Sequence, residues 1–399
     1  MDLCAPHDHV SVPSESRACR LLGLQLYHSP ISRLRLIAVN TIMMMKAAVY
    51  RSFGGPIRIE NVPVPAAPQD GVVIQVMATG VCRSDWHGWK GHDDDVKHHG
   101  LPFVPGHEVS GIVVQVGEKI QAFAIGDRVA VPFILSCGCC RPCRDGRPTV
   151  CHNQEQPGFT RWGSYAEYVA LPRADRNLRR IPASVSFVQA AALGCRFTTA
   201  YRAVLQQGRL KPNETVAIFG CGGVGLSCIM MAVSRDASNI IAVDVSEAAL
   251  KKARQLGANC TIIAKCDKDV RERVLQVTNG EGADLTVDAA GFPSTCENAV
   301  WCTRRSGRMV QVGLPIGGRD PIVPMGLVAA RELEIIGSHG FAADDLPDLL
   351  QLVAERKLDP ARLVERLVSL EEGAQALEEM DNGSPLGMTI IQFIRGYKL

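Results

Sequence analysis

Residues 215–225, "TVAIFGCGGVG", constrain the fold more than any other stretch of this chain. A short apolar run meets a G-x-G-x-x-G loop, with Gly220, Gly222 and Gly225 at the three fixed positions and Gly223 and Val224 between the last two. The pattern predicts a strand ending at Phe219, a tight turn, and a helix over "VGLSCIMMAVS". The first glycine permits the turn, the second lets a pyrophosphate approach the backbone, and the third lets helix and strand pack closely. The following helix N-terminus favours the phosphates. The next strand, "NIIAVDV" (239–245), carries Asp244, 24 residues after Gly220. A carboxylate there can accept hydrogen bonds from an adenosine ribose and would repel a 2′-phosphate, so NAD is expected over NADP. Arg235 and Lys251 are near enough in sequence to leave NADP open. The plain alternative is a glycine-rich turn beside a surface aspartate.

The same alternation continues downstream. "SEAALKKARQLG" reads as a helix capped by Ser246 and ended by Gly257. "CTIIA", "ADLTVDAAG" and "GRMVQVGLP" read as strands, with helical "VRERVLQVT" and "STCENAVWCT" between them. Strand–helix alternation implies an α/β fold with a parallel sheet built from βαβ units. From Met45 to about Pro182 the texture differs: "KAAVY", "GVVIQVMATGV", "VSGIVVQVG" and "DRVAVPF" are short apolar runs punctuated by Gly, Pro and Asp. They predict a β-rich, partly open barrel. "FVQAAALGCRFTTAYRAVLQ" (187–206) is helical in pattern. After "LEIIGSHG" (333–340), two amphipathic helices and a strand, "GMTIIQF", complete the chain.

A length of 399 residues favours two domains. Net charge is +2 without a basic block, so nucleic acid is not an expected partner, and no apolar run approaches a membrane span. Residues 1–44 stand apart: no acid falls between Ser16 and Met45, while Arg17, Arg20, Arg33 and Arg35 are basic. This is either an upstream extension before a natural start at "MMMKAAVY", giving a cytoplasmic protein, or a mitochondrial transit peptide. Asp2, Asp8 and Glu15 weigh against the latter.

Fifteen cysteines is a high count for this length. Five fall in "CGCCRPCRDGRPTVC" (137–151). Cys137, Cys140, Cys143 and Cys151, with gaps of three, three and eight, can close a tetrahedral zinc shell. A closed shell leaves no position for substrate, so a structural role is expected. Cys139 is the fifth thiol, expected to point away from the metal. A second group is dispersed: Cys82 in "GVCRSDWHG", His107 and Glu108 in "PGHEVSG", Cys195 in "LGCRFTTAY". Two thiolates and one imidazole are the ligand types of a zinc site with an open fourth position.

Together with "GSYAEYV" (163–169) and "FGCGGVGL", these motifs resemble the zinc-dependent medium-chain alcohol dehydrogenases, from about Met45 to Leu399. The resemblance implies a GroES-like β-barrel catalytic domain (45–192 and 340–399) with an inserted Rossmann domain (193–339). It implies two zinc ions per chain and a homodimer or homotetramer. Cys82, His107 and Cys195 match the catalytic zinc ligands, and Glu108 a carboxylate behind the metal that can bind it transiently. Asp85 matches the partner of the ligand histidine. Ser84 and His87 match a proton relay, Arg83 a pyrophosphate contact and Thr199 a nicotinamide contact. The implied reaction moves hydride between a zinc-bound alkoxide and NAD. Trp86 and Trp89 either line the substrate pocket or pack ordinarily, and "GHDDDVKHHG" (91–100) reads as a solvated polar loop. Alternatives are an NADP-dependent polyol or aldehyde reductase, and a non-catalytic protein that binds zinc and nucleotide. Zinc-free quinone or enoyl reductases and crystallin-like relatives lack both cysteine sets.

Overall fold

The computed structural model describes residues 43–314, 319–383 and 385–393. The extension read over residues 1–44 lies, up to residue 42, outside the described residues; the first strand begins at Met44. The strands are β1 (Met44–Tyr50), β2 (Ile57–Pro63), β3 (Val72–Val81), β4 (Val109–Val116), β5 (Arg128–Val131), β6 (Tyr168–Leu171) and β7 (Arg179–Arg180) in the first part of the chain. There follow β8 (Thr215–Phe219), β9 (Asn239–Asp244), β10 (Cys260–Ile263), β11 (Ala283–Asp288), β12 (Thr303–Gln311) and β13 (Glu334–Gly337), then β14 (Val364–Val368) and β15 (Met388–Gln392).

The middle six strands form one parallel sheet in the order β10-β9-β8-β11-β12-β13. Its central strand, β8, is apolar along nearly its whole length and buried, as a strand covered by helices on both faces must be. The chain winds outward from β8 through β9 to β10, then returns to β11 on the other side of β8. That reversal opens a crevice beyond the carboxyl ends of β8 and β11, the place where doubly wound sheets take ligands. The helix predicted after β9 runs Glu247–Leu256, with Ser246 accepting from the Ala249 amide and Gly257 at φ +119° ending it.

The second sheet has the order β14-β15-β3-β4-β5-β7, with β6 also paired to β3. β15 lies antiparallel to β3, so residues 388–392 return to the sheet built by the first part of the chain. β1 and β2 form a separate antiparallel pair.

The helix over Phe187–Gln207 lies between the two sheets. Ser186 caps it, accepting from the Gln189 amide at 3.1 Å. It is not uniform: two π-helical segments, Leu193–Phe197 and Arg202–Gln207, interrupt it. Such bulges recur at functional sites because they re-aim side chains. Gly194, at the first bulge, lets the helix approach β4 closely; a Cβ there would meet Glu108 Cβ at 2.6 Å and its Cα at 2.7 Å. The helix shares a core with β8, β9 and the helix Gly223–Val233.

Among the short helices that the apolar patterning does not predict, two lie in the segment after Cys82. Arg83–Trp89 follows Cys82 directly, with Asp85 accepting from the Cys82 amide at 3.3 Å. The "GHDDDVKHHG" segment is a helix over Asp94–His99 rather than a loop. Asp93 caps it by accepting from the Val96 amide, with acids in the first turn and bases in the last, as the helix dipole favours.

Because nothing beside Gly194 can yield without moving β4, Gly194→Ala is expected to lose about 1–3 kcal/mol of stability. Chemical denaturation of the two proteins would measure it, and equal midpoints would refute the close-packing account.

Candidate functional site

Cys82 ends the strand–helix junction after β3, His107 and Glu108 precede β4, and Cys195 sits in the first π segment. These segments are far apart in sequence, yet one ligand atom from each of Cys82, His107, Glu108 and Cys195 lies within 4.8 Å of all the others. His107 and Glu108 are fully buried, at 1% and 0% exposure. The His107 ring is held by its Nδ1, 2.8 Å from Asp85 Oδ1, an oxygen that also accepts from the Gly106 amide at 3.0 Å. Nδ1 therefore carries the hydrogen and Nε2 offers a lone pair. Nε2 is buried and has no hydrogen-bond partner. An orphaned acceptor at that depth is costly unless something binds it. Two thiols beside it make a divalent soft metal the fitting occupant.

The donors are also coupled electrostatically. A hydrogen bond from Cys195, opposed by burial, holds the Cys82 thiol well below its ordinary range, and the same bond holds Cys195 well above. Burial pushes the His107 imidazole down, but Asp85 and Cys82 more than offset it and raise it.

Glu108 does not hang free beside the metal ligands. Arg196 donates from Nε to its Oε1 at 3.1 Å and from Nη2 to its Oε2 at 2.8 Å. Burial still pushes Glu108 up to about 6, with Arg196 pulling the other way. Arg196 also donates to the Val81 carbonyl at 2.7 Å. Sequence reading passed over Arg196. Its only signal is an arginine in an apolar helix directly after a ligand cysteine.

The other four cysteines converge as well. The sulphurs of Cys137, Cys140, Cys143 and Cys151 lie within 4.8 Å of one another. Cys140 Sγ is 3.5 Å from Cys143 Sγ and 3.7 Å from Cys151 Sγ. A tetrahedron with Zn–S bonds of about 2.3 Å places its sulphurs about 3.8 Å apart, so the set fits zinc. The Cys140 amide donates to Cys137 Sγ at 3.3 Å and the Cys137 amide to Cys151 Sγ at 3.3 Å, as thiolate acceptors require. Burial opposes ionisation of Cys137, but backbone amides outweigh it and bring the thiol to about 6. Cys139 is outside this set yet does not turn away from it; its sulphur is 3.6 Å from that of Cys137.

The glycine loop has the expected form. Gly220 has φ +91°, and a Cβ there would meet Ala290 Cβ, after β11, at 2.7 Å. A Cβ at Gly225 would strike the Gly220 carbonyl, whereas at Gly222 it would meet nothing within 4 Å. The open side of Gly222 is where a pyrophosphate can approach. Asp244 accepts from the Cys221 amide at 2.6 Å and from the Ser246 amide at 2.8 Å. These bonds orient its carboxylate at the loop and leave lone pairs for a ribose. Arg235 follows the helix Gly223–Val233 and so lies near the opposite end of β9, about 17 Å from Asp244 by strand rise. A Cβ at Gly223 would strike the Arg196 side chain, so the nucleotide loop touches the arginine that grips Glu108.

The comparisons with known proteins follow this geometry. Residues 68–183 match the family "Alcohol dehydrogenase GroES-like domain" and residues 223–355 match "Zinc-binding dehydrogenase". The chain is 33% identical over 349 residues to an alcohol dehydrogenase of Geobacillus stearothermophilus, covering 87% of this chain and 99% of that one. It is 32% identical over 358 residues to a NAD-dependent alcohol dehydrogenase of Sulfurisphaera tokodaii, at 87% and 99% coverage. The solved alcohol dehydrogenase of Thermus sp. ATN1 superposes with a TM-score of 0.80 at 31% identity, covering 88% of this chain and all of that one. The chain belongs to the zinc-containing alcohol dehydrogenases of the medium-chain dehydrogenase/reductase superfamily. It is thus an oxidoreductase with a GroES-like part and a Rossmann sheet.

The remaining residues singled out from the sequence fall on the short helices that follow Cys82 and Cys195. Arg83 donates to the Met380 carbonyl at 2.5 Å and stacks 3.5 Å over the Trp86 ring. Trp86 donates to Asp381, while Trp89 is 3% exposed and donates to the Gly55 carbonyl, which makes it core rather than pocket wall. Phe133 and Phe159, which sequence reading did not select, pack on the His107 ring at 5.9 and 5.1 Å. Thr199 is 8% exposed in the helix after Cys195. His87 Nδ1 lies 3.2 Å from His92 Nδ1. Burial, then the Arg83 charge and His92, bring the His87 ring down to about 4.

Two expectations follow. Asp85→Asn keeps the shape but removes the charge that orients His107, so zinc affinity at the dispersed centre is expected to fall about 10–100-fold, measured by chelator competition. His87 is depressed in the folded state, so it stays neutral through pH 6, where a free histidine is about three-quarters protonated. Nitrogen-15 chemical shifts of its ring, followed from pH 8 to pH 4, should show no titration until near the lower end.

Proposed function

We propose that this chain oxidises an alcohol, or reduces the corresponding aldehyde or ketone, with NAD as hydride carrier. The observation that carries this reading is the contact between the two sites. Arg196 grips Glu108 behind the ligand set on one side and packs against Gly223 of the nucleotide loop on the other. One side chain therefore separates the metal centre from the pyrophosphate loop, the proximity that hydride transfer needs. Residues 45–192 and 340–399 make up the catalytic portion in this reading, and 193–339 the nucleotide portion.

Bound zinc supplies Lewis acidity to an alcohol or carbonyl oxygen, and NAD supplies the two-electron acceptor. Cys82, His107 and Cys195 hold the ion at the dispersed centre; Cys137, Cys140, Cys143 and Cys151 hold a second, structural ion. Asp85 fixes the His107 tautomer so that Nε2 faces the ligand position. Arg196 holds Glu108 in place and limits its reach toward the ligand set. Ser84, at the start of the helix after Cys82, takes up the substrate hydroxyl proton, and His87, one turn further on, receives it. Burial and the Arg83 charge make His87 a weak base, so in this relay it only hands the proton on toward solvent and is not the matched general base of the reaction. Asp244 bonds the adenosine ribose, which favours NAD over NADP.

The deciding experiment pairs metal analysis with turnover. The purified protein should hold two zinc ions per chain and form NADH on a panel of primary, secondary and aromatic alcohols. Cys82→Ser should keep one zinc and its NAD affinity while losing activity by about a thousandfold or more, the scale of losing a catalytic metal's stabilisation. Retention of most of the activity would overturn the assignment of the dispersed centre.

A further inference from the structure

The helix Arg83–Trp89 carries Ser84 and His87 one turn apart, so the two share a face just beyond the ligand Cys82. His87 is half-buried, and burial together with the Arg83 charge lowers its ring to about 4. A proton that reaches this ring does not rest there. His87 Nδ1 lies 3.2 Å from Nδ1 of His92, whose ring is exposed. Among the described residues this is the only hydrogen bond that either imidazole makes. One Nδ1 therefore donates, the other accepts, and both Nε2 atoms stay open.

The contact is held from several sides. Lys90 ends the helix, and Gly91, at φ +70°, turns the chain back so that the His92 amide donates to the His87 carbonyl at 2.9 Å. A Cβ at Gly91 would meet Phe53 Cγ at 2.9 Å, so this turn needs glycine. The Trp86 indole packs edge-on against both imidazoles, its centroid 4.9 Å from that of His87 and 5.4 Å from that of His92. Trp86 is itself fixed by its bond to Asp381 at 2.7 Å and by the Arg83 guanidinium 3.5 Å above its ring. The nearby acids are engaged elsewhere: Asp381 also pairs with Lys90 at 3.0 Å, and Asp93 caps the next helix through the Val96 amide. His92 is thus the group placed to take a proton from His87.

We propose that His92 is the proton exit of this site, so that the proton released by the alcohol passes from Ser84 to His87 and reaches solvent through His92 rather than from His87 itself. The proposal rests on the Ser84–His87 relay read above. In the outward direction His87 takes the proton on Nε2, its Nδ1 hydrogen moves to Nδ1 of His92, and His92 gives its Nε2 hydrogen to water. One proton enters and one leaves at each ring. Rotation of the His87 ring and exchange of His92 with water restore the starting tautomers. Carbonyl reduction runs the same path inward.

The test uses the zinc-loaded full chain, NAD and an alcohol that the wild type oxidises. Stopped flow follows NADH by its absorbance and released protons by an indicator dye in weak buffer. The proteins are the wild type, His87→Gln, His92→Gln, the double variant and His98→Gln. His98 is an exposed histidine of the next helix and controls for loss of a surface imidazole. Proton release should keep pace with NADH in the wild type and in His98→Gln. In His92→Gln it should slow by about ten- to a hundredfold, up to the low end of what one positioned acid–base group contributes. Added imidazole should restore it, which a merely structural defect would not allow. The double variant should be no slower than His87→Gln, because groups in series are not additive. Three results would overturn the exit while a slowed His87→Gln kept the relay: wild-type proton release in His92→Gln, a deficit that imidazole leaves unchanged, or a double variant slower than His87→Gln. Wild-type proton release in both single variants would sink the relay and the exit together. A chain inactive on every alcohol would refute the dehydrogenase reading and this path with it.

Discussion

The ion pair between Glu108 and Arg196 is the interaction on which the rest of the site depends. Its side chains are 0% and 8% exposed, and two bonds of 2.8 and 3.1 Å join them. Burying two charges is expensive, so such a pair does little for stability by itself. Removing one partner is another matter, because the remaining charge is left unpaired in the interior at a cost of about 3–5 kcal/mol. The pair therefore locks a geometry. It ties the segment ahead of β4 to the helix that carries Cys195, and so brings His107 and Cys195 to one point. Through Gly223 it also sets how near the nucleotide loop comes to that point.

The two metal centres embody opposite ways of building a ligand set. In the four-cysteine loop, fifteen consecutive residues supply every ligand, and local backbone amides donate to the sulphurs of Cys137 and Cys151. Such a loop needs little from the rest of the chain. The dispersed centre spans 113 positions from Cys82 to Cys195, and its geometry is tertiary throughout. Sheet β3–β4 sets two ligands, a π-distorted helix sets the third, and Asp85 aims the imidazole from a third segment. The denser cluster is built locally, while the sparser one lies, through Arg196, against the nucleotide loop.

Much of the fold was legible because its signals are local. The strand–glycine–helix unit at 215–233 and the Ser246 and Gly257 caps came out where turn and cap chemistry put them. The helix Asp94–His99 was missed because its charged residues mimic a solvated loop, and only the Asp93 cap and the ordering of acids before bases mark it. Trp86 and Trp89 looked alike in sequence, yet Trp89 is core and Trp86 is pinned by Arg83 and Asp381. Helix phase at a buried layer decides such cases, and three residues of spacing do not reveal it.

Residue types and spacing alone determined that this chain carries a four-cysteine loop with the spacing of zinc ligands, a G-x-G-x-x-G turn with Asp244 at the end of the following strand, and a parallel α/β sheet. Each of these is completed by neighbours within a few tens of residues, so the chain's own stereochemistry suffices to specify it. Tertiary structure alone decided that Arg196 grips Glu108 and that Nε2 of His107 is left without a partner. Those facts depend on which side chains meet across segments a hundred residues apart, and on two π bulges that re-aim a helix whose apolar pattern reads as regular.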